Sequence, residues 1–104
     1  MAFPQPRDHR IALDTAAALT RRYRETAGPG AQRAQLFPND VFDAILKQPG
    51  CHGIRVYFGR SENGTMELVL VGVDSDGNDM TAGVMDDRGF PCPPVCTGTG
   101  PLGA

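Results

Sequence analysis

Three cysteines and two histidines are the residues of this 104-residue chain best suited to chemistry. Cys92-Pro93-Pro94-Val95-Cys96 sets two thiols either side of a three-residue spacer that its prolines stiffen. Cys51 lies in the turn Pro49-Gly50-Cys51-His52-Gly53, whose glycines let the backbone approach another group. If the C-terminal segment folds back, Cys51, Cys92 and Cys96 converge, and His52, His9 or water supplies a fourth ligand. Such a Cys3His set is a chemically sound zinc site, which makes zinc the candidate cofactor.

Two features weigh against it. Structural zinc normally uses paired C-x2-C-type knuckles, and one C-x3-C pair is present here. Cys51 and His52 are also neighbours, and neighbours in extended backbone point to opposite sides. Thiols that pack as small buried hydrophobes are therefore favoured over metal binding. A redox-active Cys92/Cys96 pair ranks behind both. An odd cysteine count in a chain that reads as cytoplasmic argues against a stable disulfide framework.

Other constellations fall on inspection. A cysteine nucleophile needs a histidine base within reach and a group to orient it; His52 is misplaced by adjacency, so no catalytic set can be nominated. Asp74-Ser75-Asp76-Gly77-Asn78-Asp79 has the alternating oxygens of a calcium loop, but the twelfth position is Met85 rather than glutamate, and a hairpin turn is expected. Gly98-Thr99-Gly100-Pro101-Leu102-Gly103 spells G-x-G-x-x-G with no helix to follow it. Asn63-Gly64-Thr65 is a formal sequon that reads as a turn. Arg21-Arg22-Tyr23-Arg24, with Arg7, Arg10 and Arg33, lacks the aromatic platform of a nucleic-acid binder.

These residues must be held by a small fold. Leu13, Ala16, Ala17, Thr20 and Tyr23 recur at helical steps, and Gly28-Pro29 stops that helix. Gly28 to Gln35 reads as a loop. A second, short helix opens near Pro38 or Asn39 and carries a stripe of Val41, Phe42, Ile45 and Leu46. The period then changes to two: Ile54, Val56 and Phe58 alternate with Arg55, Tyr57 and Gly59. Asn63-Gly64 turns the chain into Met66–Val73, apolar on both faces, and Asp79 to Met85 returns as a third strand. The predicted fold is α+β, with two N-terminal helices packed on a three-stranded antiparallel meander and an extended Pro/Gly/Cys-rich C-terminal tail. Residues 1–10 form an N-terminal arm, 11–90 a single small domain, and 91–104 the tail.

Composition sets further bounds. No apolar run is long enough to span a bilayer or serve as a secretory leader, so the expectation is a soluble cytoplasmic protein with no membrane role. The net charge is −2, divided into six arginines against three acids over residues 1–36 and four bases against nine acids over 37–104. That mild asymmetry falls short of a nucleic-acid binder's balance. Glycine and proline supply 8 of the 17 residues from Arg88 onward, which concentrates the turn-forming residues in the tail.

Gln48-Pro49-Gly50-Cys51-His52-Gly53-Ile54-Arg55, Leu70-Val71-Gly72-Val73-Asp74 with Gly77-Asn78-Asp79-Met80, and Pro91-Cys92-Pro93-Pro94-Val95-Cys96 together resemble a group of short uncharacterised bacterial proteins. The resemblance spans most of the chain. It implies a bacterial origin and brings no activity, cofactor or partner.

The functional expectation is a non-enzymatic module that binds another protein or assembles with itself. Its motive is the small core, the two-sided central strand and a Pro-rich segment suited to lie along a partner. The alternative is a cysteine-based metal-binding or thiol redox protein using Cys51, Cys92 and Cys96, with His52 as a further ligand.

Overall fold

In the computed structural model, which describes residues 2–103, the elements run α1 (Leu13–Ala27), β1 (Ala34–Leu36), α2 (Asn39–Leu46), β2 (Cys51–Arg60), β3 (Met66–Asp74), β4 (Met85–Asp86) and β5 (Phe90–Cys92). The class is α+β, and every strand pair is antiparallel. The chain clusters into two compact units, Met1–Pro6 with Phe37–Gly89, and Arg7–Leu36 with Phe90–Ala104.

The first unit holds the three-stranded sheet, in the order β2-β3-β4. The long hairpin between β2 and β3 pairs Cys51 with Asp74 at one end and Arg60 with Met66 at the other, with a register shift between Cys51 and Gly53. Its connection is set by local chemistry. Gly64 takes a positive φ of 88° that a side chain would resist, and Asn63 Oδ1 accepts from both the Thr65 amide (3.2 Å) and the Thr65 hydroxyl (2.8 Å). The central strand, apolar on both faces, lies between two neighbours. Leu70, on one face, and Val71 and Val73, on the other, are all buried.

Helix α2 packs on β2 and β3. Ile45 is fully buried, at 0% exposure, while Phe42 and Leu46 from the same stripe remain exposed. A single position on β3 permits this approach. A Cβ added at Gly72 would lie 3.0 Å from Gln48 Nε2, 3.1 Å from Cys51 Sγ and 3.3 Å from Ile45 Cγ2, tighter than ordinary carbon contacts.

The third strand is shorter than its sequence suggests. Asp79 forms an isolated bridge with Val73, and regular pairing resumes only at Met85–Asp86 against Val71 and Leu70. Gln48 is the reason. Its side-chain oxygen accepts the Val84 amide at 2.8 Å, and it occupies the space a side chain at Gly83 would need. The segment is bonded to β3 as far as Met80, whose amide donates to Gly72 O at 2.8 Å, and to a carboxamide at Val84.

In the second unit, α1 begins without a side-chain cap and ends at Gly28, whose φ is 88°. Asp14 and Arg24 lie in its first and last turns, each matched to the helix dipole. Ala16, Ala17 and Thr20 of the expected stripe are half-buried, but Leu13 and Tyr23 are exposed. The helix clusters with β1, β5 and the C-terminal segment, so the packing of both helices on one sheet is not what the units describe. The stretch read as a loop to Gln35 instead enters strand β1, whose Ala34, Gln35 and Leu36 face Cys92, Pro91 and Phe90. The tail accordingly starts as a paired strand and then folds: the Val95 amide bonds Pro91 O at 2.8 Å. No helix among the described residues is long and apolar enough to cross a membrane.

Candidate functional site

Cys92 and Cys96 form a disulfide. The spacing that suggested two reduced thiols or two thiolate ligands therefore supports a covalent bridge, with both sulfurs committed to each other. The two ends differ in access: Cys92 is buried, at 5% exposure, and Cys96 is exposed. Strand pairing explains the difference, since Cys92 is the last residue of β5, opposite Ala34, while Cys96 lies in the turn beyond it.

Arg33 is bound to both cysteines. Its backbone amide donates to Cys92 O at 2.7 Å, and its guanidinium Nη2 lies 3.7 Å from Cys96 Sγ. Nη1 of the same side chain donates to Gly103 O at 2.9 Å, which fixes the guanidinium plane. Arg24 is anchored similarly, to the Leu102 carbonyl. Between them lies a half-open cavity of about 340 Å³, lined by Arg24, the turn Gly28-Pro29-Gly30, Arg33 and Pro93. The unit around it carries six arginines and three acids, so its field favours an anion.

Cys51 and His52 open β2 in the other unit. The Cys51 thiol is free and half-buried, donating to Gly53 O at 3.3 Å beside Gly72. The His52 ring turns the other way, with Nδ1 3.0 Å from Gly50 O and its centroid 5.8 Å from that of Phe3. The strand is irregular here, with a register shift between Cys51 and Gly53. Among the described residues, no group of three or more His, Cys, Asp or Glu side chains is placed to hold a metal ion.

A second cluster escaped the sequence reading. Arg55 and Tyr57, two residues apart on β2, share a sheet face, and both reach the carboxylate of Asp79. Tyr57 donates its hydroxyl to Oδ2 and Arg55 its Nη1 to Oδ1. The Tyr57 hydrogen bond, with the Arg55 guanidinium after it, holds the Asp79 carboxyl below its ordinary range. The same bond, helped by desolvation, raises the Tyr57 phenol. The alternation of Arg55 and Tyr57 is visible in the sequence; Asp79, which the sequence offers as the end of an acidic turn and the start of a third strand, is the partner that spacing does not identify.

The acidic turn itself is closed by hydrogen bonds. Asp74 Oδ1 accepts the amides of Asp76 (2.9 Å) and Asn78 (3.0 Å), a side-chain-braced turn. Gly98 to Gly103 is turn and bend, with no helix N-terminus behind the glycine pattern. Comparison with protein families, with curated proteins and with solved structures finds no match to the chain.

Proposed function

We propose that this chain is a small non-enzymatic interaction module that assembles with a second copy of itself through the outer edge of β2. The observation that carries this reading is Phe58, 83% exposed although it is paired with Leu68 within the β2–β3 ladder. Val56 and Tyr57 beside it are 44% and 45% exposed. Among the described residues β2 pairs only with β3. Ten residues of strand with an apolar, unpaired edge are a template for another strand.

The edge is self-complementary. An antiparallel pair centred on Val56 sets Ile54 opposite Phe58 of the second copy and Arg55 opposite its Tyr57. That gives an apolar face and a cation–aromatic face, with no like charges opposed along this stretch. A two-fold contact of this kind closes on itself and does not propagate. The proposed setting is the cytoplasm, without nucleic acid or membrane as a partner.

Light scattering across a concentration series tests the reading, with Phe58→Glu as the comparison. The expected result is a dimer at high micromolar concentration that the substitution converts to monomer. A wild-type chain that stays monomeric throughout the series overturns it.

A further inference from the structure

We propose that Cys92–Cys96 is a thiol–disulfide exchange site for small thiols that carry a carboxylate. Three features of one unit converge on it: a disulfide with one buried and one exposed sulfur, a guanidinium at the exposed sulfur, and a cavity whose lining includes that same Arg33 and Pro93, the residue after Cys92. The site is independent of the β2 edge.

The exposed Cys96 Sγ is the sulfur an incoming thiolate can reach. In the first step the thiolate attacks Cys96 Sγ, the S–S bond breaks, and Cys92 Sγ leaves as a thiolate that takes a proton from water. The product is a mixed disulfide between Cys96 and the small thiol. A second small thiolate then attacks the sulfur of the bound thiol and releases a small-molecule disulfide. Cys96 departs as a thiolate, and two electrons have passed from two small thiols to the cysteine pair. The reverse sequence oxidises the pair at the expense of a small disulfide.

Arg33 gives Cys96 its role. Nη2 at 3.7 Å from the sulfur favours the charged over the neutral thiol once the bridge opens. With the bridge closed, the Arg33 amide bonds Cys92 O at 2.7 Å and Arg33 Nη1 bonds Gly103 O at 2.9 Å, which holds the guanidinium at the exposed sulfur. The cavity supplies the preference for charge. Its volume of about 340 Å³ suits a molecule of a few tens of atoms at most, and Arg24 and Arg33 both line it. A neutral thiol gains nothing from that lining; a thiol bearing a carboxylate gains an ion pair.

The test uses the wild-type protein with three probes: mercaptoacetate, 2-mercaptoethanol and cysteamine, each rate corrected to its thiolate concentration. The expected order is anionic, neutral, cationic, with about tenfold between the first two, the effect of one nearby charge. The gap should narrow as salt is raised. Peptide mapping after acid quench should find the adduct on Cys96. Arg24→Gln should narrow the gap between the anionic and the neutral probe, and Arg33→Gln should slow the second step, in which Cys96 leaves, for all three. Equal corrected rates, an adduct on Cys92, or a bridge that reacts only after unfolding overturns the proposal. The salt series on the unaltered chain decides the matter if either substitution impairs folding.

Discussion

Tyr57 and Asp79, twenty-two residues apart in sequence, are joined by a hydrogen bond from the phenol to the carboxylate. Arg55 completes the cluster from the same strand. The turn after β3 is thereby tied to the face of β2, and it is tied by groups that titrate at opposite ends of the pH scale.

That arrangement predicts a two-limbed pH dependence. The Asp79 pKa is lowered in the folded chain, so its contribution is fully present above the ordinary carboxylate value of about 3.9 and is lost as pH falls through the folded value. The Tyr57 pKa is raised, so its contribution is present below about 10 and lost as pH rises through the folded value. Urea midpoints of Asp79→Asn should lie below wild type at neutral pH and meet it in strong acid. Tyr57→Phe should flatten the alkaline limb. Parallel curves for wild type and both variants would refute the linkage.

Gly72 is a packing position before it is a flexible one. Gly72→Ala should cost about 1–3 kcal/mol, the range for overpacking a filled core. Because Cys51 Sγ lies 3.1 Å from the added Cβ, Cys51→Ala in the same chain should recover part of that loss. A double-mutant cycle by urea denaturation measures the coupling. Strict additivity would show that the two positions do not compete for the same space.

Gln48 holds the chain between β3 and β4 through its two amide atoms, accepting from Val84 and donating to Ile45 O at 2.9 Å. Gln48→Leu should destabilise by about 1 kcal/mol, the net worth of a hydrogen bond. It should also speed hydrogen exchange at Val84. Unchanged exchange there would mean that this amide is protected by other means.

Reducing the Cys92–Cys96 bridge should loosen one unit only. A cross-link that closes so short a loop is worth about 2 kcal/mol in the chain-entropy account. Hydrogen exchange with and without reductant should show lost protection in Ala34–Leu36 and Phe90–Cys92 and retained protection along β2 and β3. Uniform loss across the chain would show that the two units unfold together.

Periodic segments were the readable part of the sequence. The two helices and the β2–β3 hairpin follow from spacing and turn residues such as Gly64 and Asn63, because their determinants are local. The shortened β4 was not legible, since its cause is Gln48, a side chain thirty-six residues from the amide it captures. Strand β1 was missed for a similar reason: Ala34–Leu36 has little strand propensity of its own and is a strand because Phe90–Cys92 lies alongside it. The cysteine pair was noticed, but its state was not, because access and pairing depend on β5 and Arg33. Asp79 looked like turn chemistry until Arg55 and Tyr57 were seen to face it.

The membership of the two units has a consequence for the order in which the protein can be made. Each is assembled from stretches that leave the ribosome at different times: α1 and β1 are synthesised well before residues 90–92, the strand that pairs β1. Phe3, whose amide bonds Ser75 O at 3.3 Å, likewise waits for a turn made some seventy residues later. The hairpin of β2 and β3 and the helix before it are contiguous and can close before either of those pairings forms. Interrupting synthesis before residue 90 would therefore leave α1 and β1 without the strand that completes their unit.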